Sequence, residues 1–549
     1  MATLQRKKVN NRWYWYIVES RRVNGKPRPI VLKYIGKTEK LIKMLMGKDA
    51  LGRIKVKSFM YGSVYGLLKV SEELGLLEIY EKYLPDQKRD GLSIGESLLL
   101  CSIYRVCIPG SKRAFAEWVT GTSLPFLLNF NPKKLTSQHF WDQMDRVSEE
   151  DMEKIEEEVA KRLVNKFNIS LDVLLYDVTN FYTYIATNNE RNEICKRGKN
   201  KQKRNDLRQY NLALLVSREF FIPILKEVYD GNITDVSSFP AILSKIRRRL
   251  EVFNKDIEDI TLVFDRGNYS KRIQKELDGM SINWVGSLSV SLSKDFEEVR
   301  KEEFHSVRIR GGKEVLAYRM KKVLWGKEVT VIITFSERLR EGQIRGFKAQ
   351  FRKAIKFLKE IDGSKKMTLR RAEMEIEKIL SREHLKEVII PRIERRGGRI
   401  KARWEINTER YRVLINEYFG RKVLFTTRDE WSDREIIETY YGLGRIENVF
   451  KQLKNPFHLS ITPEFHWTDH KIKVHTFYCL IGLILTGLLY KKVREGGIDI
   501  SPIELLKKLD GIREVLLIED TGGKGRPRAR RQLEEMDEVQ RRIFEIIKV

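Results

Sequence analysis

Four cysteines in 549 residues (Cys101, Cys107, Cys195 and Cys479) lie scattered, with no C-x-x-C spacing. That excludes a disulfide framework and a zinc ribbon, and it fits a reducing compartment. No G-x-x-x-x-G-K-S/T loop is present, so no nucleotide cofactor is implied. Basic residues near the N-terminus have no apolar signal core behind them. The longest apolar run, "FYCLIGLILTGLLY" (477–490), is too short to span a bilayer; it predicts a buried helix and no membrane partner. Acidic residues are in deficit, with 76 Asp+Glu against 105 Lys+Arg, for a net charge of +29. A thermophile's charged surface raises both signs together, so it accounts for the Lys/Glu/Arg-rich texture but not for the excess. The surplus points to a polyanion, with nucleic acid the first candidate. The expected location is cytoplasmic and associated with the nucleoid, or nuclear if the source has a nucleus.

The length predicts two to four domains, and no internal repeat is evident. Residues 1–50 read as a basic β-hairpin turning at Asn24-Gly25. Its Trp13, Trp15, Arg21 and Arg22 are available either to DNA or to packing within their own domain. Residues 51–168 read as helical. "SIGESLLLCSIYRVC" has helix-period apolar positions behind a serine cap, and "LTSQHFWDQMDRV" starts another helix behind Thr136 or Ser137. Short helices with tight breaks suit a DNA-binding domain, as they suit many domains that never touch DNA. Residues 169–290 change to strands at 171–177, 207–217 and 221–229, a helix, a strand at 259–265, a helix, and a strand at 282–287. The loop "NNERNEICKRGKNKQKR" between the first two strands carries a basic run that includes Lys199, Lys201 and Arg204. Residues 291–430 interrupt this pattern with short strands, a charged helical stretch at 337–388 and a hairpin turning at Gly397-Gly398. Residues 431–492 carry a helix capped by Ser432 or Asp433, and residues 493–549 a basic, partly helical tail.

Three acidic residues stand out. Asp177 follows the apolar run in "LDVLLYDVTNFY", Asp265 follows another in "ITLVFDRGNYS", and Glu447 lies in the helical pattern "ETYYGLGRIENVFKQLK". A carboxylate at the end of a buried strand is unstable unless something compensates its charge. Three oxygen ligands without Cys or His suit Mg²⁺ or Mn²⁺ rather than zinc. If the first strand is central and pairs with the fourth, Asp177 and Asp265 become neighbours. Two ions held by such a set stabilise the attacking and leaving oxygens of a phosphodiester displacement. Tyr440, Glu447 and Lys454 are spaced at seven and seven and share one helix face. That face serves a phosphate backbone beside the metals, or equally the wet side of an ordinary amphipathic helix. His466, His470 and His475 cluster in sequence, but no acidic or Cys set completes a zinc site. Trp284 and Trp404 are each able to stack a base or to fill a core.

"YDVTNFY", "LVFDRGNYS" and Tyr440-x6-Glu447-x6-Lys454 resemble the catalytic blocks of DDE transposases from prokaryotic insertion sequences. The likeness is to the group with a Tyr-x2-Arg-x3-Glu-x6-Lys block and a β-rich insertion. "DLRQYNLALLV" with "GNITD", "HWTDHKIKVHTFYCLIGL" and the N-terminal "RWYWYIVESRRVNGKPRPIVLKYIG" extend it over most of the chain. The resemblance implies a ribonuclease H-like α/β core: a mixed five-stranded sheet with helices, interrupted by the insertion and preceded by the hairpin and helical region. It implies Asp177, Asp265 and Glu447 as the catalytic, metal-binding triad, with two Mg²⁺ (or Mn²⁺) per site. Tyr440 and Lys454 would contact phosphates at the transposon end. The family's arginine falls at Leu443, and Lys451 is the better-placed substitute, because Arg445 sits about 200° around the helix from Glu447. Lys199, Lys201 and Arg204 are further candidates for DNA contact. The implied function is a transposase that binds terminal inverted repeats as a homodimer in a synaptic complex. It would nick DNA by metal-activated water and join the 3′-hydroxyl ends to target DNA, by cut-and-paste. Two rivals keep the same residues: a metal-dependent nuclease or resolvase, and a catalytically inactive DNA-binding relative.

Overall fold

The computed structural model describes residues 2–10, 12–23, 26–46, 54–186, 188–198, 200, 204–253, 257–265, 270–288, 296, 299–382, 384–462, 464–519 and 528–549. Its centre is a mixed sheet of nine strands: β1 (Val173–Thr183), β2 (Arg208–Ser217), β3 (Pro223–Asp230), β4 (Thr261–Val263), β5 (Asn283–Ser287), β6 (His305–Arg308), β7 (Glu314–Leu324), β8 (Lys327–Phe335) and β9 (Arg421–Thr426). Their spatial order is β6-β7-β8-β9-β5-β4-β1-β2-β3. β1, β2 and β3 form an antiparallel meander, and β4 runs parallel to both β1 and β5. Val173, Leu174, Leu175 and Tyr176 are all buried, as a central strand covered on both faces requires.

The sequence predicts five strands here, and the sheet has nine. β9 pairs antiparallel with β5, and β8 pairs with β9 in turn. Four strands of the insertion, β6 to β9, therefore extend the central sheet instead of standing apart. Leaving β5 as an edge would expose a row of unpaired backbone groups, and this addition covers it. The rest of the insertion builds a second hydrophobic core around Phe347, Leu358, Ile376, Ile389 and Leu414. The charged stretch is two main helices, Glu337–Ile361 and Leu369–Leu380, broken near Gly363 at φ +79°.

The helical region and the C-terminal segments share the sheet's core. α1 (Ile94–Cys107) carries the expected serine cap, and Ser93 completes a capping box with Glu96. The apolar run at 477–490 lies inside the much longer helix Asp469–Glu495, which is long and apolar enough to cross a membrane by length and composition. Here it is buried from Ile472 to Leu489 save Lys473, against α1 and the helix Gly62–Leu74. The N-terminal region holds three strands rather than two: Ala2–Val9, Arg12–Val23 and Lys26–Gly36. The Asn24-Gly25 turn lies outside the described residues, although Val23 and Lys26 pair across it. Part of the tail read as a basic linker is a strand: Arg528–Leu533 pairs with Arg513–Glu519, which pairs with Ile54–Met60.

Candidate active site

Asp177 is not at the end of its strand. β1 continues six residues past it, because β2 pairs with it as far as Thr183. What ends near Asp177 is the parallel partner. β4 stops at Val263, aligned with Leu175, and two more residues in that register set Asp265 beside Asp177. Asp177 is half-buried and Asp265 exposed, just past the point where the parallel pairing runs out. Asp177 Oδ1 accepts from the Val178 N–H at 2.8 Å.

The third acidic residue arrives on a helix in two parts. α2 (Asp433–Tyr441) begins at Ser432, whose capping box with Glu435 is complete. α3 (Leu443–Leu453) follows across Gly442, which keeps helical angles of φ −54° and ψ −31°, so the rotational phase carries through. The sequence predicts one helix over 433–456; the joint at Gly442 is the difference. Two side chains dock this helix face. The Tyr440 hydroxyl donates to Asp265 Oδ1 at 2.7 Å. The Lys454 ammonium donates to Thr179 Oγ1 at 2.6 Å, on the strand face that Asp177 also occupies two residues earlier. Glu447 is seven residues from each anchor, hence on the same side and about 10 Å along the axis from either. Its side chain is exposed.

Tyr440 is buried, and the Lys422 ammonium lies 4.3 Å from its ring centroid. In this structure its hydroxyl is engaged by Asp265. Thr179 and Lys422 are site neighbours that the sequence pattern did not single out. Strand period two offered a signal for Thr179, whereas nothing local links Lys422 to Tyr440. Lys451 is exposed, with a long contact of 3.5 Å to Asn448. Arg204 forms an exposed fork on Asp206 at 2.9 and 2.8 Å. Lys199 and Lys201 lie outside the described residues. Leu443 packs partly against the core, and Arg445 is exposed. Trp284 is fully buried under the Lys327 ammonium, which removes it as a base-stacking surface. Trp404 lies half-buried against the second core.

The three histidines do not act together. His470 meets the Met144 carbonyl at 2.9 Å. His466 and His475 join Glu464 in a buried group whose ligand atoms lie within 4.8 Å of one another. So an acidic residue does join them, but the group does not fit a metal. Lys112 Nζ lies 2.7 Å from His466 Nε2 and 2.9 Å from the Tyr478 hydroxyl. His475 spends Nε2 on the Ile461 carbonyl at 2.8 Å. A cation already occupies the place where another would have to sit. Desolvation drives the Glu464 carboxyl up and the Lys112 ammonium down, and it keeps both histidines well below their ordinary range. Arg105, also buried, closes the network through the carbonyls of Ser460 (2.7 Å), Gly110 (2.9 Å) and Thr462 (2.8 Å). It ties α1 to the segment that leaves α3. Arg105→Ala is expected to lower the unfolding free energy by about 3 kcal/mol or more, read by urea denaturation. A loss under about 1 kcal/mol would mean that the network is peripheral to stability.

With this geometry in hand, the comparisons with known proteins are decisive. A sequence model of the transposase DDE domain matches residues 170–463, which contain all nine strands, both aspartates and Glu447. The chain belongs to the transposase DDE domain family. No curated protein matches the chain. Among solved structures, a piggyBac transposase synaptic complex with hairpin DNA is similar over 83% of this chain and 82% of that one. Its identity is 8% and its TM-score 0.34, too distant to bear on the argument.

Proposed function

We propose that this transposase cleaves DNA at the ends of its own element and joins the resulting 3′-hydroxyl groups to target DNA, by cut-and-paste. The observation that carries this reading is the double docking of the α2–α3 face. Tyr440 holds Asp265 and Lys454 holds Thr179, and the helix face between these two anchors carries Glu447. The order β5-β4-β1-β2-β3, with only β2 antiparallel to its two neighbours, supports a ribonuclease H-like core.

Asp177, Asp265 and Glu447 offer oxygen donors alone, which fits two Mg²⁺ or Mn²⁺ ions. Bound there, such ions supply a nucleophilic water at neutral pH and neutralise charge on the phosphodiester. The chain's own residues do the rest. Tyr440 fixes the orientation of Asp265. Lys454, with Lys451 outward of it, places positive charge where a phosphate backbone would run. The net charge of +29 supports double-stranded DNA as the partner, both as transposon ends and as target. Action as a homodimer pairing two ends, in the cytoplasm at the nucleoid, completes the proposal.

The test uses duplex DNA carrying the candidate ends, target DNA, and Mg²⁺ or Mn²⁺. Metal-dependent nicks together with joined products are expected. Nicks without joined products would replace the transposase by a nuclease of the same fold. Binding without either would leave an inactive DNA-binding relative.

A further inference from the structure

Within the insertion, strands Ile389–Arg396 and Arg399–Ile406 form a two-stranded ribbon of their own, separate from the central sheet. Its register sorts most side chains by face, with exposed Ile390 among the charges and exposed Arg395 at the end of the apolar side. One face pairs Ile389 with Ile406, Pro391 with Trp404, Ile393 with Ala402 and Arg395 with Ile400, and it packs on the second core through Ile389, Ile400 and Ala402. The other face carries Arg392, Arg396, Arg399, Lys401 and Arg403 against Glu394 and Glu405, all exposed.

The arrangement of these charges is unusual. Glu394 stands opposite Lys401, as favourable cross-strand pairing requires. Arg392 stands opposite Arg403, and Arg396 opposite Arg399. Like charges directly opposite one another on a ribbon are destabilising. Among the described residues of these two rows, Arg392 has a counter-charge, an exposed pair with Glu405 at 2.9 Å. A solvated face has no need of two such rows, whereas a polyanion lying across the ribbon turns both repulsions into attraction. The rows are four residues apart, or ~13 Å along the strands, which matches the rise of about four base pairs. A two-stranded ribbon is also narrow enough for the major groove.

We propose that the outward face of this ribbon is a duplex-DNA docking surface, with the arginine rows at 392/403 and 396/399 seated on phosphates. The proposal rests on the transposase reading above and assigns DNA contact to a module remote in sequence from the three carboxylates. The apolar face is already satisfied by the second core, so the outward arginines are free of any folding duty. Replacing them is expected to leave the fold intact.

The experiment measures binding of the full-length chain to a 30-bp duplex by fluorescence anisotropy, with EDTA present and from 50 to 300 mM salt. The variant replaces Arg392, Arg396, Arg399 and Arg403 with alanine. The slope of log affinity against log salt is expected to fall by about 3–4, at roughly 0.9 per phosphate contact. Affinity at the lower salts should drop about 100-fold or more. Its melting temperature should equal or exceed that of the unsubstituted chain, since two repulsive pairs are gone. A control replaces Lys348, Arg352, Lys356 and Lys359, exposed on the helix Glu337–Ile361, with alanine; it should change the slope far less. Equal losses in variant and control would reduce the effect to net charge and overturn the proposal, as would an unchanged slope. If the unsubstituted chain fails to bind duplex DNA at all, the transposase reading itself falls, and this proposal with it.

Discussion

Asp177→Asn is expected to lower DNA nicking by roughly 10³-fold or more while leaving affinity for duplex DNA within about twofold. Asparagine keeps the volume of the side chain and an oxygen for the Val178 N–H, which the carboxylate now accepts at 2.8 Å. The strand around it is buried on both sides and pairs on one edge with β4 and on the other with β2, so the backbone holds its course. Only the negative charge is lost. A carboxylate that holds a divalent cation at a reacting phosphate contributes several kcal/mol of transition-state stabilisation, and each 1.36 kcal/mol is tenfold in rate. Single-turnover nicking of end-bearing DNA reads the rate, and anisotropy reads the binding. A variant that nicks within tenfold of the unsubstituted rate would remove Asp177 from the chemistry. A variant that neither binds nor nicks would point to misfolding, which thermal unfolding would register separately.

Tyr440→Phe is expected to slow nicking by about 10- to 100-fold and to raise the Mg²⁺ concentration needed for half-maximal rate. The phenylalanine ring fills the same buried volume and keeps the Lys422 ammonium over an aromatic face, so packing is conserved. What disappears is the donor that fixes Asp265 at 2.7 Å. Partners that orient metal ligands are worth that much in affinity or activity. The Mg²⁺ titration separates the two roles open to Tyr440. A positioning role moves the titration midpoint, whereas a phosphate contact alone would weaken DNA binding and leave the midpoint in place. The burial of Tyr440 favours the first outcome.

Both predictions depend on features of unequal legibility. The runs before Asp177 and Asp265 were readable as buried strands because a central parallel strand needs apolar residues on both faces, and few other local structures do. Strand ends were less readable: β1 runs to Thr183 because Asn180, Phe181 and Tyr182 find partners on β2, and that choice is made by the partner. The helix phase of Tyr440, Glu447 and Lys454 was legible from spacing. Which of the three would be spent inside the protein was not. Tyr440 faced a phosphate in the reading by resemblance, and it faces Asp265 in the fold.

Composition and local pattern alone determined the alternation of strands and helices from 171 to 287, and they pointed to a polyanionic partner and an oxygen-only donor set. These follow from charge balance and from periodicities of 2 and 3.6, which are properties of a few neighbouring residues. The tertiary structure alone decided three things. It placed β9 against β5, so that part of the insertion became sheet. It brought Lys112 and Arg105 to Glu464 across more than 300 residues, so that two of the clustered histidines joined a buried charge network. It also set Arg392 opposite Arg403 and Arg396 opposite Arg399. Each of these is a pairing between distant segments, selected by the total burial and hydrogen bonding of the whole chain. Local sequence reports which face a residue prefers, not which partner meets it there.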